Sequence, residues 1–397
     1  MRIRAIHSAR CSLLLAGWLV TGWAATPLAA CPLELEWERF LKTPGYDTRL
    51  AGLAAWGQEE LVVGAWLRPV DGELERFAVG VFRVTSAGES RRLVTLERLD
   101  PTRATPFEQV LLTALDDLAV VGEKRLFLAA EGNMHSAAVL ELSESGQLQK
   151  GQLLPLDANA MLLRLLPLST GQLLALGRQG QSALALILTE GGEIQRRFVD
   201  PLGPTARYLD GLEEPGGGLL LVANAGSYDL MQRGPSKVHL RRLAADGSVS
   251  KEHVFKGRYG SVAALPGGRI ALVYDRADSS AQEVVLQVYD EALKLVWEQP
   301  VTASQQGTSR FRVAPLADGT LVVAGSKEGK PHVSVFAADG ARQWESWRSE
   351  DPNLGQDHSV VVRGRAVYIG TSNYVEAPGG EILQEIRLTK YHCSDGR

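Results

Sequence analysis

The chain has 397 residues, 45% of them hydrophobic, with 41 Gly, 18 Pro and 3 Cys. That apolar fraction is enough for a buried core and excludes a disordered chain. Its 42 basic and 46 acidic residues, a formal charge of −4, exclude the basic footprint of a nucleic-acid binder; the length fits two or three ordinary domains or one repeat architecture.

The first thirty residues read as an address. Arg2, Arg4 and Arg10 precede an apolar run from Cys11 to Ala25, and small residues follow at Ala29 and Ala30. This is the pattern of a secretory signal peptide over residues 1–30. Its removal takes away three Arg and no acids, leaving a formal charge of −7. No later stretch reaches the roughly 18–20 unbroken apolar residues of a spanning helix. The expected product is a periplasmic or secreted monomer with no transmembrane segment. Leu28-Ala29-Ala30-Cys31 also fits a bacterial lipobox, so a lipid anchor on Cys31 is the alternative.

From there the chain repeats one unit about every 50 residues, in the range of propeller blades. Its apolar strands begin at Leu61, Leu126, Leu173, Leu219, Ile270, Leu321 and Val367. Each is followed by a second strand with a tight polar turn, such as Ser86-Ala87-Gly88, Ser145-Gly146, Gly191-Gly192, Asp246-Gly247 and Asp339-Gly340. Glycine belongs in those turns because they need positive φ. Two hairpins per unit make four strands, one propeller blade. The expected fold is all-β, a seven-bladed β-propeller of four-stranded antiparallel blades over residues 31–397. Phe107 to Val121 also suits an inserted helix by its apolar spacing, but a blade strand is the preferred reading.

The two ends read as one blade. The last unit lacks a fourth strand, and the orphan strand Leu33 to Leu41 carries Leu35-Glu36-Trp37-Glu38. Fourth strands elsewhere read Leu295-Val296-Trp297-Glu298 and Arg342-Gln343-Trp344-Glu345. The N-terminal strand is therefore expected to complete the last blade, which removes an open sheet edge. Trp37, Trp297 and Trp344 are expected to pack between blades, each indole N–H on a backbone acceptor. The same closure brings Cys31 and Cys393 to one hairpin end, where a disulfide would constrain the longest loop. Two free thiols, or a lipidated Cys31, are the alternatives.

Chemistry-bearing motifs are scarce. The histidines beyond the leader, His135, His239, His253, His332, His358 and His392, show no metal-ligand spacing, and phosphate-loop and nucleophile-elbow motifs are missing. No metal and no cofactor are expected. In a propeller, the loops entering the first strand and those joining the second to the third share one face, where ligands bind. Those loops are expected to offer Asp47, Arg49, Asp157, Asn159, Arg207, Tyr208, Asp210, Arg258, Tyr259, Arg310, Arg312, Asp357 and His358. Asn133, His135, Arg178, Asn224, Tyr228, Asp229, Lys327, Asn373 and Tyr374 join them from the other set. Arginine beside tyrosine suits a carboxylate, a sugar or a peptide backbone.

Leu240-Arg241-Arg242-Leu243-Ala244-Ala245-Asp246-Gly247 and Asp318-Gly319-Thr320-Leu321-Val322-Val323-Ala324-Gly325 resemble the repeats of exported bacterial propellers of the quinoprotein-like or delta-60 type. The resemblance spans residues 31–397 and implies the fold; the cofactor-gripping motifs of true quinone dehydrogenases are missing. In size and export the chain is also similar to the propeller lipoprotein of outer-membrane β-barrel assembly, without its Asp-x-x-Thr-Gly-x-x-x-Trp docking motif. The expected function is a non-catalytic scaffold for an envelope protein, a peptide or a glycan. The alternative is a hydrolase or lyase in which His358 works with Asp357 or Asp210 as acid and base.

Overall fold

The computed structural model describes residues 32–70, 77–96, 112–122, 125–132, 136–157, 159–226, 236–276, 282–304, 308–347, 354–376 and 380–394. The leader, Cys31, Asn133, His135, Tyr228 and Asp229 lie outside them. Among the described residues the structure is all-β, with no α-helix and one 3-10 turn at Pro266–Gly268.

The strands form a propeller-like ring of antiparallel sheets. The first sheet is Tyr46–Trp56, Glu60–Pro69, Ala78–Thr85 and Ser90–Leu96. The second is Leu112–Val121, Arg125–Gly132, Ser136–Leu142 and Leu148–Leu153. The third is Ala160–Pro167, Leu173–Gln179, Ser182–Leu188 and Ile194–Asp200. Thr308–Pro315, Leu321–Lys327, Lys330–Phe336 and Arg342–Trp347 make another four-stranded sheet. In the last, Leu354–Arg363, Ala366–Glu376 and Ile382–Cys393 are joined by the N-terminal strand Leu33–Leu41. The pairing of Leu33 with Cys393 and Leu41 with Ile386 bears out the expected closure.

Between the third sheet and Thr308–Pro315 lies one seven-stranded sheet running from Arg207–Glu213 to Leu295–Ser304. It is continuous because Val249–Ala264 passes from one neighbour to another without a loop. Residues 249–256 pair with Ser236–Leu243, and residues 257–264 pair with Ile270–Arg276. Gly257 sits at the changeover, where a Cβ would come 2.3 Å from the Asp275 carbonyl oxygen. The sequence reading separated these strands into two units; hydrogen bonding gives five four-stranded sheets and this one.

Side chains alternate across each strand, so its two faces enter different cores. Leu61 and Val63 pack with Tyr368 and Leu388 of the last sheet, whereas Val62 packs with Leu118 and Leu126 of the second. That double burial explains why these strands read as unbroken apolar runs. Leu112–Val121 is a strand, as preferred. Its register slips at Leu112/Ala114 and again at Leu115/Asp117, which spaces its apolar residues like those of a helix.

Fourth strands latch each sheet to the next. The Trp37 indole donates to the Ser86 carbonyl at 2.9 Å, and the Trp297 indole to the Ala338 carbonyl at 3.2 Å. Trp344 meets Tyr391 edge-on, with ring centroids 6.0 Å apart. Phe198 plays the same part beneath Gly247, and Leu93 beneath Gly146.

Candidate functional site

The first strand of every four-stranded sheet, the first strand of the seven-stranded sheet and the second half of Val249–Ala264 face the centre of the ring. In each of them the register slips against the next strand at a comparable place: Leu50/Gly52, Leu115/Asp117, Leu162/Arg164, Tyr208/Asp210, Arg258/Ser261, Ser309/Arg312 and Leu354/His358. A bulge leaves a residue unpaired and re-aims its neighbours. Here the bulged residues, among them Ala51, Asp116, Leu163, Leu209, Tyr259 and Arg310, line one central cavity of about 330 Å³.

Along its wall runs an ionic belt. Arg164 lies 3.4 Å from Asp117 and 3.5 Å from Asp210. Arg312 lies 3.4 Å from Asp210, which also accepts bonds from the Ser261 hydroxyl at 2.7 Å and the Val262 amide at 3.2 Å. Asp117 accepts the Leu165 amide at 2.9 Å. Both carboxylates are buried. Burial pushes the Asp117 carboxyl up, with Arg164 opposing it. Burial also works against the charge on Arg164, yet Asp117 and Asp210 outweigh it and hold its pKa above the ordinary value. Arg312, half-buried and facing Arg164, is pulled down to about 10. Each charge in the belt thus depends on its neighbours, because an isolated one in such a site would be costly.

One wall of the cavity is basic. His358 is buried, and burial together with Arg310 and Arg312 brings its pKa down to about 3, so the imidazole is neutral at ordinary pH. The Arg310 guanidinium lies 5.9 Å from the Tyr259 ring centroid, and that of Arg258 lies 6.0 Å from the same ring. Tyr259 has φ of 55°, a conformation that costs a non-glycine residue about 1–3 kcal/mol and collects at functional sites. Arg49 stacks on Trp66 at 4.9 Å. Asp116 and Glu131, from the second sheet, supply acidic groups to the same cavity.

Of the residues singled out by sequence, Arg49, Tyr259, Arg310, Arg312 and His358 line the cavity, and Asp210 lies in the belt. Expected in loops, they stand instead on strands, at the bulges. Tyr208 does not line the cavity. Fully buried behind the wall, it donates its hydroxyl to Asp200 and accepts from Arg241 at 3.2 Å, and burial raises its pKa. The bulge explains this, since it turns Leu209 into the cavity and its neighbour Tyr208 away. Arg207 is buried in the same strand and does not line the cavity. Arg258 meets the Tyr259 ring without lining the cavity, and Tyr374 is exposed on Ala366–Glu376. Tyr228 and the Asp357 side chain lie outside the described residues.

Sequence reasoning missed Asp116, Asp117, Glu131, Arg164 and Trp66. A signal for the belt existed. Gly52, Asp117, Arg164, Asp210, Ser261, Arg312 and His358 each stand nine residues before Leu61, Leu126, Leu173, Leu219, Ile270, Leu321 and Val367 respectively. Stacking the repeats on those apolar residues reveals one column rich in ionisable groups.

Among the described residues, no group of three or more His, Cys, Asp or Glu could hold a metal, and no helix is long and apolar enough to cross a membrane. No protein-family model and no curated protein matches the chain. Solved structures do. Polysaccharide lyase Uly1 is similar with a TM-score of 0.53 at 10% identity, over 91% of this chain and all of that one. A puromycin hydrolase is similar with a TM-score of 0.52 at 13% identity, over 87% of this chain and 53% of that one. At these identities the likeness is one of fold. The chain is a β-propeller.

Proposed function

We propose that this chain is an exported, non-catalytic β-propeller that binds an envelope protein, a peptide or a glycan through its central cavity. The observation that carries this reading is the convergence of Tyr259, Arg310, Arg312 and His358 on one cavity. Counting Val249–Ala264 as the last strand of one blade and the first of the next, we read the ring as seven blades, of the quinoprotein-like or delta-60 type. Residues 1–30 serve as the leader, and the product is a periplasmic or secreted monomer. Leu33 opposite Cys393 supports a seam disulfide to Cys31, in competition with lipidation of the same sulfur.

Binding is favoured over catalysis by the state of His358. An imidazole with a pKa of about 3 is a weak base, and the charges acting on it are Arg310 and Arg312. A hydrolase or lyase remains the second reading, because His358 and Asp210 occupy the same belt column. The test is capture from an envelope extract by the wild type and by Arg310→Gln, a residue outside the belt. Loss of the captured partner supports the reading; unchanged capture overturns it. Turnover of a glycoside or peptide library that His358→Gln abolishes would favour the enzyme.

A further inference from the structure

Opposite charges are interleaved around the cavity rather than segregated. Arg49 stands on Tyr46–Trp56, Asp116 and Asp117 on Leu112–Val121, and Arg164 on Ala160–Pro167. Asp210 of the belt follows on Arg207–Glu213, and Arg310 and Arg312 stand on Thr308–Pro315. Contacts between these inner strands run in that order around the ring, with the second half of Val249–Ala264 before Thr308–Pro315 and Leu354–Arg363 after it. Read from the first sheet, the strands are therefore basic, acidic, basic, acidic, uncharged, basic and uncharged. With Glu131, the described residues supply four arginines and four carboxyl groups, formally neutral in sum. Arg164 and Arg312 are engaged with Asp117 and Asp210, while Arg49 and Arg310 stack on Trp66 and Tyr259. Ser359 and neutral His358 complete the circle on Leu354–Arg363. One sector, on the third sheet and its neighbour, is apolar: Met161, Leu163 and Leu209.

Resting on the reading above, we propose that the cavity binds a neutral sugar, one or two pyranose rings of a glycan. A hydroxyl group both donates and accepts, so neighbouring hydroxyls satisfy arginines and carboxylates that alternate around them. Arginine has several N–H donors and a carboxylate several lone pairs, so a partner already present exhausts neither. Such bonds to hydroxyls are charge-assisted, and they leave every existing pair in place. An ion of either sign fits less well. An anion approaching Arg312 has to displace Asp210, 3.4 Å away, and a cation approaching Asp117 or Asp210 has to displace Arg164. Either step strands a buried charge without its partner, which is costly. A peptide segment is neutral too, but its backbone groups lie along a line. A pyranose carries hydroxyls around its rim, as the cavity carries polar groups around its wall. Met161, Leu163 and Leu209 receive the apolar C–H face of the ring. The cavity's 330 Å³ lies at the small end of ligand pockets, which run from about 300 to 1,000 Å³, and so suits one or two rings rather than a long chain.

Calorimetric titration of the full-length protein tests this with matched probes. Diacetylchitobiose, lactose and maltose are neutral, and chitobiose is the cationic twin of the first. Digalacturonate is anionic, and N-acetyl-Leu-Leu-amide is a neutral peptide. At least one neutral disaccharide is expected to bind at least tenfold more tightly than chitobiose, digalacturonate and the peptide. Its affinity should be unchanged by a tenfold rise in salt, since no ion pair is made or broken. Leu209→Trp, which fills the apolar sector, and Arg310→Gln, which removes donors, should each weaken it at least tenfold. Circular dichroism and unfolding midpoints would establish that both variants fold. If chitobiose, digalacturonate or the peptide binds best and Leu209→Trp weakens it, the neutral sugar is overturned while the cavity remains the binding site. If no probe binds, the neutral sugar is equally overturned. Sugar binding untouched by both variants would overturn the cavity itself. Cleavage of the bound disaccharide would overturn the non-catalytic reading and leave the recognition of a neutral sugar standing.

Discussion

The Trp37 indole N–H donates to the carbonyl of Ser86 across 2.9 Å, and the two residues belong to different sheets. Trp37 lies on the strand that completes the last sheet, and Ser86 in a turn of the first. The indole also lies beneath Gly88, where a Cβ would come 3.0 Å from the ring. The seam of the ring is thus held by packing and by a hydrogen bond. Trp37→Ala should destabilise the protein by about 3–5 kcal/mol, the usual cost of deleting a buried Trp. Trp37→Phe, which keeps most of the packing and loses the N–H, should cost less, with the bond itself worth about 1 kcal/mol. Urea unfolding midpoints measure both, and a Trp37→Phe variant as stable as the wild type would show that the hydrogen bond carries nothing.

Gly340 occupies the corresponding turn above Trp297. Its φ is 94°, and a Cβ would lie 2.9 Å from the indole. Gly340→Ala therefore meets both strain and overpacking, and should cost about 1–3 kcal/mol. Gly216 has φ of 86° and open space within 4 Å of where a Cβ would stand, so it isolates the strain alone. Gly216→Ala should cost less than Gly340→Ala in the same unfolding assay.

Arg164 stands between two carboxylates, so its removal leaves Asp117 and Asp210 short of positive charge in a buried site. Arg164→Met should lower stability by about 3–5 kcal/mol at pH 7. The loss should shrink in acid, where protonation removes the uncompensated charge. In Arg164→Met combined with Asp117→Asn, the two costs should fall short of their sum, because the substitutions share a contact. Strict additivity in chemical unfolding would refute coupling across the belt.

His358 gives a pH signature with a definite sign. In the unfolded chain its pKa is about 6.5, whereas in the fold it is about 3. Between those values the unfolded chain binds a proton that the folded chain does not. The His358 contribution is therefore fully present above about pH 6.5 and is lost as the pH falls toward 3, at up to about 1.4 kcal/mol per pH unit. The stability difference between wild type and His358→Gln should fall along that slope from pH 6.5 to pH 4.5. Carboxylates such as Asp117 titrate in both proteins and largely cancel. Parallel pH profiles would mean that His358 is not held neutral.

Much of the architecture could be read from alternating apolar residues and the glycines between them. The outgoing strands at Leu61, Leu173, Ile270 and Val367 all fall where the repeats put them, as does Leu33–Leu41. Leu112–Val121 was ambiguous for a physical reason: two bulges shift its side-chain phase, and a period-2 pattern that slips twice resembles a helix. The same bulges hid half of the cavity. Propensity does not mark a bulge, so residues such as Arg310 and Tyr259 read as loop when they are strand. Asp117 and Arg164 were concealed differently. Each looks like an ordinary polar residue in its own segment, and only their shared offset from the following strand makes them one ring. The seven-stranded sheet was invisible because nothing local in Val249–Ala264 distinguishes a strand that changes partners from two strands joined by a tight turn.

The pairing of Leu33–Leu41 with Ile382–Cys393 has a consequence in time. Glu38 and Arg387, ion-paired across this seam at 2.6 Å, are 349 residues apart in sequence. A strand made early on the ribosome has no partner until one of the last segments has been synthesised. Loop-closure entropy grows only slowly with length, so the delay costs little at equilibrium, but contacts this distant slow the approach to the native state. Until then Leu33, Trp37 and Leu41, all buried in the finished ring, are open to other partners. The interval between making the two strands is when the chain is most exposed to chaperones and to misassembly.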